Sequence, residues 1–185
     1  MSPISFSAIH LEDFHEIKTI SDTCFGFNYL TMEQLAGIIE FPGVFLKIRH
    51  QELIIGFCIT RFIADEKTPD PLILKAFSQN FSFPYGIIKT IAILPEFQNK
   101  GFGFALLETI IGGLRQKYNV RVFLYPAWTE SESFLFTNKL KKLGFKSVEK
   151  ISDFWYADSM KHNYRCIKCG QPPCRCSLTL FKLSF

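Results

Sequence analysis

The chain has 185 residues, 48% of them hydrophobic and 16% aromatic, with 21 phenylalanines, which suffices for one well-cored domain and excludes a disordered or low-complexity chain. The net charge of +4 and pI of about 8.7 are mild, and the basic residues are scattered apart from Lys139, Lys141, Lys142 and the segment 161–175; a small anionic partner suits this better than the basic stripe of a nucleic-acid binder. No apolar run reaches the ~20 residues of a membrane span, since the stretch 53–62 contains Gly56 and meets Arg61, and the opening residues MSPISFSAIHLEDF lack a signal-type apolar core, so a soluble cytoplasmic protein is expected.

Residues 4–9, ISFSAI, alternate apolar and polar and predict a first strand, which His10 ends. Leu11, Phe14, Ile17 and Ile20 recur at helical spacing. A second helix follows Thr31, which forms a capping box with Gln34, and runs to Phe41-Pro42-Gly43. Residues 44–49 and 53–63 predict a hairpin with Gly56 as a bulge or close-approach point. Residues 64–83 are loop-like, with a short helix expected around 72–77. Residues 120–125 predict a strand ended by Pro126, residues 132–143 a helix closed by Gly144, and residues 148–156 and 178–185 the last two strands.

Between these lies the stretch 84–118, PYGIIKTIAILPEFQNKGFGFALLETIIGGLRQKY. It predicts a buried strand over 87–94 closed by Pro95, a glycine turn, and an amphipathic helix burying Leu106, Leu107, Ile110, Ile111 and Leu114. The first N–H groups of a helix lack intrahelical partners and carry the positive end of the macrodipole, so a phosphate placed there meets several donors. Gly101 and Gly103 let the backbone approach closely. The pattern Q-x-x-G-x-G is neither the dinucleotide fingerprint nor the G-x-x-x-x-G-K-[ST] loop, which favours a pyrophosphate held without a metal.

The run Ile91 through Leu107, a hydrophobic strand, a proline and Q-N-K-G-F-G opening a helix, resembles the acetyl-CoA-binding core of the GNAT family of N-acetyltransferases. The order of predicted elements is similar along nearly the whole chain. The resemblance implies an α/β GNAT fold, a mixed, mostly antiparallel seven-stranded sheet flanked by helices, as a single domain over residues 1–185. It further implies pantetheine contacts on the main chain of Ile91 and Ile93, with an amide near Ile91 polarising the thioester carbonyl. The pyrophosphate would rest on the N–H groups of Gln98, Asn99, Lys100, Gly101, Phe102, Gly103 and Phe104.

The family often takes its general acid from a tyrosine four residues before the glycine of a closing helix motif, and Leu140 stands there. Ser133 and Thr137 share that helical face, but a hydroxyl is a poor acid unaided. No catalytic acid or base is assigned. Trp128 and Glu130 are the acceptor-site candidates, with Glu132, Tyr125, Tyr156 and a water relay as further sources of proton-transfer groups.

Of six cysteines, Cys24 and Cys58 fall in helix and strand patterns and suit core positions. Cys166, Cys169, Cys174 and Cys176 form C-x2-C-x4-C-x-C, with Gly170, Pro172 and Pro173 between the pairs. Four thiolates within reach of one ion suit a closed, structural Zn²⁺ site; disulfides and an iron–sulfur cluster are the alternatives. The knuckle, residues 166–176, falls in the last inter-strand loop, which in many GNAT enzymes borders the acceptor site or a homodimer contact. The expectation is an acetyl-CoA-dependent N-acetyltransferase acting on a primary amine. Two rivals stay open: a non-catalytic acyl-CoA sensor, favoured by Leu140, and a nucleic-acid or protein adaptor using the basic knuckle residues Lys161, Arg165, Lys168 and Arg175.

Overall fold

The computed structural model describes residues 4–68, 77, 81–129 and 135–185. Seven strands form one sheet in the order β1-β2-β3-β4-β5-β7-β6: β1 (Ile4–Ala8), β2 (Phe45–His50), β3 (Leu53–Ile63), β4 (Tyr85–Ile93), β5 (Val122–Thr129), β6 (Lys146–Ile151) and β7 (Ser177–Ser184). All neighbours are antiparallel except β4 and β5. A parallel pair needs a crossover, and α3 (Phe102–Tyr118) supplies it. The fold class expected from the sequence is the one observed.

Helices cover both faces. α3 buries Leu106, Leu107, Ile110, Ile111 and Leu114 against Ile48, Cys58, Ile88 and Phe123 of the sheet, together with Leu140 from α4 (Leu135–Lys142). On the other face α1 (Phe14–Phe25) and α2 (Met32–Ile39) bury Phe14, Ile17, Ile20 and Leu35 against Ile54, Phe57 and Ala92. The capping box forms: Gln34 N–H donates to Thr31 Oγ1 at 3.1 Å and Thr31 N–H to Gln34 Oε1 at 2.9 Å. Such caps stabilise a helix start by about 1 kcal/mol. Gly144 has φ 91 and ends α4 as expected.

The hairpin of β2 and β3 skips Ile55, where Ile48 pairs with Gly56 and Arg49 with Ile54. Gly56 is a close-approach point, since a Cβ there would lie 2.5 Å from Ala92 O. A second bulge shifts the register between β3 and β4, where Ile59 pairs with Thr90 and Thr60 with Ile88.

Two expectations are corrected. The fifth strand does not end at Pro126; it continues to Thr129, with Pro126 opposite Leu180 of β7. Proline fits because β5 has already left β4 beyond Leu124, so no ladder partner is lost on that edge. Nor do residues 148–156 form one strand. β6 ends at Ile151, Asp153 turns the chain at φ 52, and α5 (Tyr156–His162) follows. Val148, Ile151, Phe154 and Trp155 all pack on one cluster, so their burial comes from a strand end and a turn, without strand alternation. The short helix expected around 72–77 lies, Phe77 apart, outside the described residues. No helix among the described residues is long and apolar enough to cross a membrane.

Candidate active site

β4 and β5 pair only through Tyr85–Val122, Gly86–Phe123 and Ile87–Leu124, and then diverge. β4 stays bonded to β3 as far as Ile93, and β5 goes on with β7. The edge of β4 beyond Ile87 therefore opens toward β5. Leu94 N–H donates to Ile55 O at 2.9 Å, on the β3 side. Backbone groups alternate sides along a strand, so Ile91 and Ile93 turn theirs into the opening. The Ile93 carbonyl already accepts from Gln98 Nε2 at 2.8 Å and from Cys24 Sγ at 3.3 Å, which leaves the Ile93 N–H and both backbone groups of Ile91 for an extended ligand.

At the end of the opened edge, Pro95–Phe97 form a 3-10 turn, Asn99 takes φ 61, and Gly101 takes φ 88 as N-cap of α3. The first intrahelical bond is Ala105 N–H to Gly101 O at 3.0 Å, so the N–H groups of Phe102, Gly103 and Phe104 precede it and are the orphan donors of the helix start. The Gln98 N–H is already used by Pro95 O at 3.1 Å. Gln98 acts instead as a brace, its side chain tying the turn back to β4. Gln98, Asn99, Lys100 and Gly101 are exposed, and a Cβ on Gly101 would meet nothing within 4 Å. The turn is thus open to a ligand, and glycine is required there by its φ.

Beside the opening lies a cleft of about 110 Å³. The end of α1 and the loop after it contribute Phe25 and Tyr29, β4 contributes Lys89, Thr90 and Ile91, and β5 contributes Tyr125, Pro126 and Trp128. Trp155, Tyr164, Cys166 and Cys174 close the far side. Tyr29 packs edge-on against Trp155 and Tyr164, at 6.3 and 5.7 Å between centroids. Burial, and then the charge of Asp158, push its phenol up to about 12, partly offset by a hydrogen bond with Thr90. Burial also pushes the Tyr125 phenol well above its usual value, with Cys58 and Tyr29 adding to it. Both phenols stay protonated at neutral pH.

Of the sequence candidates, Trp128 lines this cleft and Glu130, with Glu132 and Ser133, lies outside the described residues. Tyr156 is 42% exposed under Arg175, away from the cleft lining. Leu140 is fully buried in the cluster that also holds Tyr125. Sequence reasoning missed Phe25, Tyr29, Thr90, Trp155 and Tyr164, which come together only across the fold.

The four cysteines of residues 166–176 converge, their Sγ atoms all within 4.8 Å of one another. Cys166 and Cys176 are 3.8 Å apart and Cys169 and Cys176 3.5 Å apart. Tetrahedral thiolates at a Zn–S length of ~2.3 Å stand ~3.8 Å from each other, so the donor set fits zinc. Cys166 and Gly170 bond each other's backbones at 2.9 Å, and Gly170 turns at φ 76. Lys168 N–H donates to Cys166 Sγ and Arg175 N–H to Cys169 Sγ, each at 3.4 Å, and such donors favour thiolate. Burial holds the Cys174 thiol up at about 12 and pushes Cys176 higher, while for Cys169 the Arg175 N–H and the neighbouring thiols outweigh burial and lower it. Trp128 packs against this cluster.

An opened strand pair that runs into a helix-opening glycine turn defines an α/β protein built to hold an extended ligand bearing phosphate at one end. Residues 13–145 match the model of the Acetyltransferase (GNAT) family, and the chain belongs to that family. It is an acyltransferase that uses acetyl-CoA. Among solved structures it is similar to the ribosomal-protein-S18-alanine N-acetyltransferase from Escherichia coli, with TM-score 0.69, 16% identity, and coverage of 98% of this chain and 94% of that one. It is also similar to Arabidopsis thaliana NAA60 in complex with a bisubstrate analogue (TM-score 0.71, 16% identity, 99% of each chain), and to Arabidopsis thaliana Naa50 in complex with the bisubstrate analogue CoA-Ac-MVNAL (TM-score 0.68, 15% identity, 100% of each chain). No curated protein sequence matches.

Proposed function

We propose that this acyltransferase moves the acetyl group from acetyl-CoA directly to a primary amine carried on an apolar or aromatic body. The observation that carries the reading is the opening between β4 and β5, which joins the glycine turn at one end to an aromatic cleft at the other. The walls are mostly aromatic, which suits an amine carried on an apolar body better than a polyamine.

In this reading the neutral amine attacks the acetyl carbon while backbone N–H groups around Ile91 hold the developing oxyanion. The C–S bond then breaks, and the departing thiolate takes the proton of Tyr125. The protonated nitrogen of the adduct gives up its extra proton and the phenol is restored, directly or through water. Tyr125 thereby substitutes for the phenol that the family keeps where Leu140 stands here. The four cysteines hold a structural zinc ion, with no coordination position left for substrate. A thiolate zinc site suits a reducing, cytoplasmic setting, where cysteines stay available as ligands.

Two glycine variants and an amine panel test this. Gly101→Ala costs about 1 kcal/mol through its left-handed φ, whereas Gly101→Asp adds a carboxylate near the pyrophosphate. At ~4–5 Å and an effective dielectric of ~20 that repulsion is ~3–4 kcal/mol before screening, so the Kd for CoA should rise about 10- to 100-fold beyond the alanine variant. Equal Kd values for the two variants would refute the phosphate site. Thiol release from acetyl-CoA should favour 2-phenylethylamine and peptides with an apolar first residue over spermidine. A preference for spermidine would overturn the acceptor class, and tight CoA binding with no turnover on any amine would identify a sensor.

A further inference from the structure

The knuckle does more than close a hairpin. Cys166 and Cys174 are themselves walls of the aromatic cleft, and three further links join the four-cysteine loop to the other walls. First, the α1–α2 loop lies alongside it as a short ladder: Ile167 N–H donates to Phe25 O at 2.9 Å and Arg165 N–H to Phe27 O at 3.0 Å. Gly26 lies between them at φ 118, and a Cβ there would sit 1.8 Å from Arg165 O, so the approach is as close as backbone allows. Second, Trp128 lines the cleft from β5 and packs against the cysteine cluster. Third, Cys174 N–H donates at 2.8 Å to Ser159 Oγ of α5, a side chain with no exposure, which holds the knuckle against the helix that follows Trp155. The glycine turn at the start of α3 is braced from within its own segment, by the Gln98 side chain on Ile93 O.

We propose that the knuckle's metal ion fixes the shape of the acceptor cleft while leaving the CoA turn largely independent, so that metal occupancy controls the acceptor half of the site alone. This rests on the zinc reading above. Without a cation, four thiols converging within 4.8 Å have no common partner to hold them, and a loop of residues 166–176 tied to its neighbours by a few hydrogen bonds opens at low cost. Its opening releases the α1–α2 loop and Trp128 together.

Both tryptophans of the chain, Trp128 and Trp155, pack against the cysteine cluster, so the whole indole emission reports this wall. The test uses full-length protein purified without added metal. Zinc is counted by plasma mass spectrometry, then stripped with EDTA and restored. At each stage acrylamide quenching of the indoles and the Kd for CoA are measured. We expect about one zinc per chain, at least a twofold rise in quenching on stripping, reversal on adding zinc, and a CoA Kd within about threefold throughout. Cys169→Ser, which alters the exposed ligand alone, should weaken zinc retention and mimic stripping in part, even if variants of the buried cysteines fail to fold. Protein that neither carries nor binds zinc would end the zinc reading and this inference with it. Zinc that leaves with quenching unchanged would refute the coupling while the zinc reading stands. A CoA affinity lost in step with the quenching change would refute the independence of the two halves.

Discussion

Replacing Gly26 with alanine probes the seam between the α1–α2 loop and the knuckle at one atom. Gly26 has φ 118 and ψ 164, a region that only glycine populates freely, and an L-residue forced into it costs ~1–3 kcal/mol. The new Cβ would also lie 1.8 Å from Arg165 O and 2.8 Å from Ile167 N, so the two segments must separate by more than an ångström or the loop must change path. Separation breaks the Arg165–Phe27 and Ile167–Phe25 bonds, each worth ~1 kcal/mol net. The expected total is about 3–5 kcal/mol, a large share of the ~5–15 kcal/mol that holds an ordinary domain. Urea unfolding measures the loss, and hydrogen exchange at the Arg165 and Ile167 amides locates it. A destabilisation under about 1 kcal/mol, or unchanged protection of those amides, would mean that the seam is not the tight contact described.

Asp13 is 2% exposed and meets Lys47, itself 5% exposed, with Arg49 at 3.4 Å and the His10 N–H at 2.8 Å. Burial alone would raise its pKa, but these partners, Lys47 foremost, hold it below the ordinary 3.8. Asp13→Asn leaves Lys47 buried without its counter-charge and should cost about 3 kcal/mol near neutral pH. Because the folded pKa is the depressed one, that contribution is complete above about pH 4 and fades as pH falls through the folded value; a gap between the two proteins that instead grows on acidification would refute it. Tyr125→Phe keeps the packing and removes the phenolic proton, so kcat should fall about 10²- to 10⁴-fold with the CoA Kd unchanged, and a kcat within twofold of the parent would exclude the tyrosine as proton donor.

Much of this protein is legible along the chain because it is encoded locally. The strand, proline, glycine turn and helix around Gly101 rely on neighbours a few residues apart, and so does the capping box of Thr31 and Gln34. The spacing of the four cysteines likewise brings their sulfurs together within one short loop. By contrast, Pro126 inside β5 is tolerated only because β4 has turned away, a fact about two strands that are distant in sequence. The aromatic cleft is written nowhere in particular: Tyr29, Thr90, Tyr125 and Tyr164 come from four separate segments, and nothing in their flanking residues distinguishes them from ordinary core aromatics and hydroxyls. The glycine turn and helix start, built from backbone within one short segment, were therefore determined by the sequence itself. The aromatic cleft and its attachment to the knuckle were decided by tertiary packing, because side chains that converge from distant segments leave no periodicity or spacing to read.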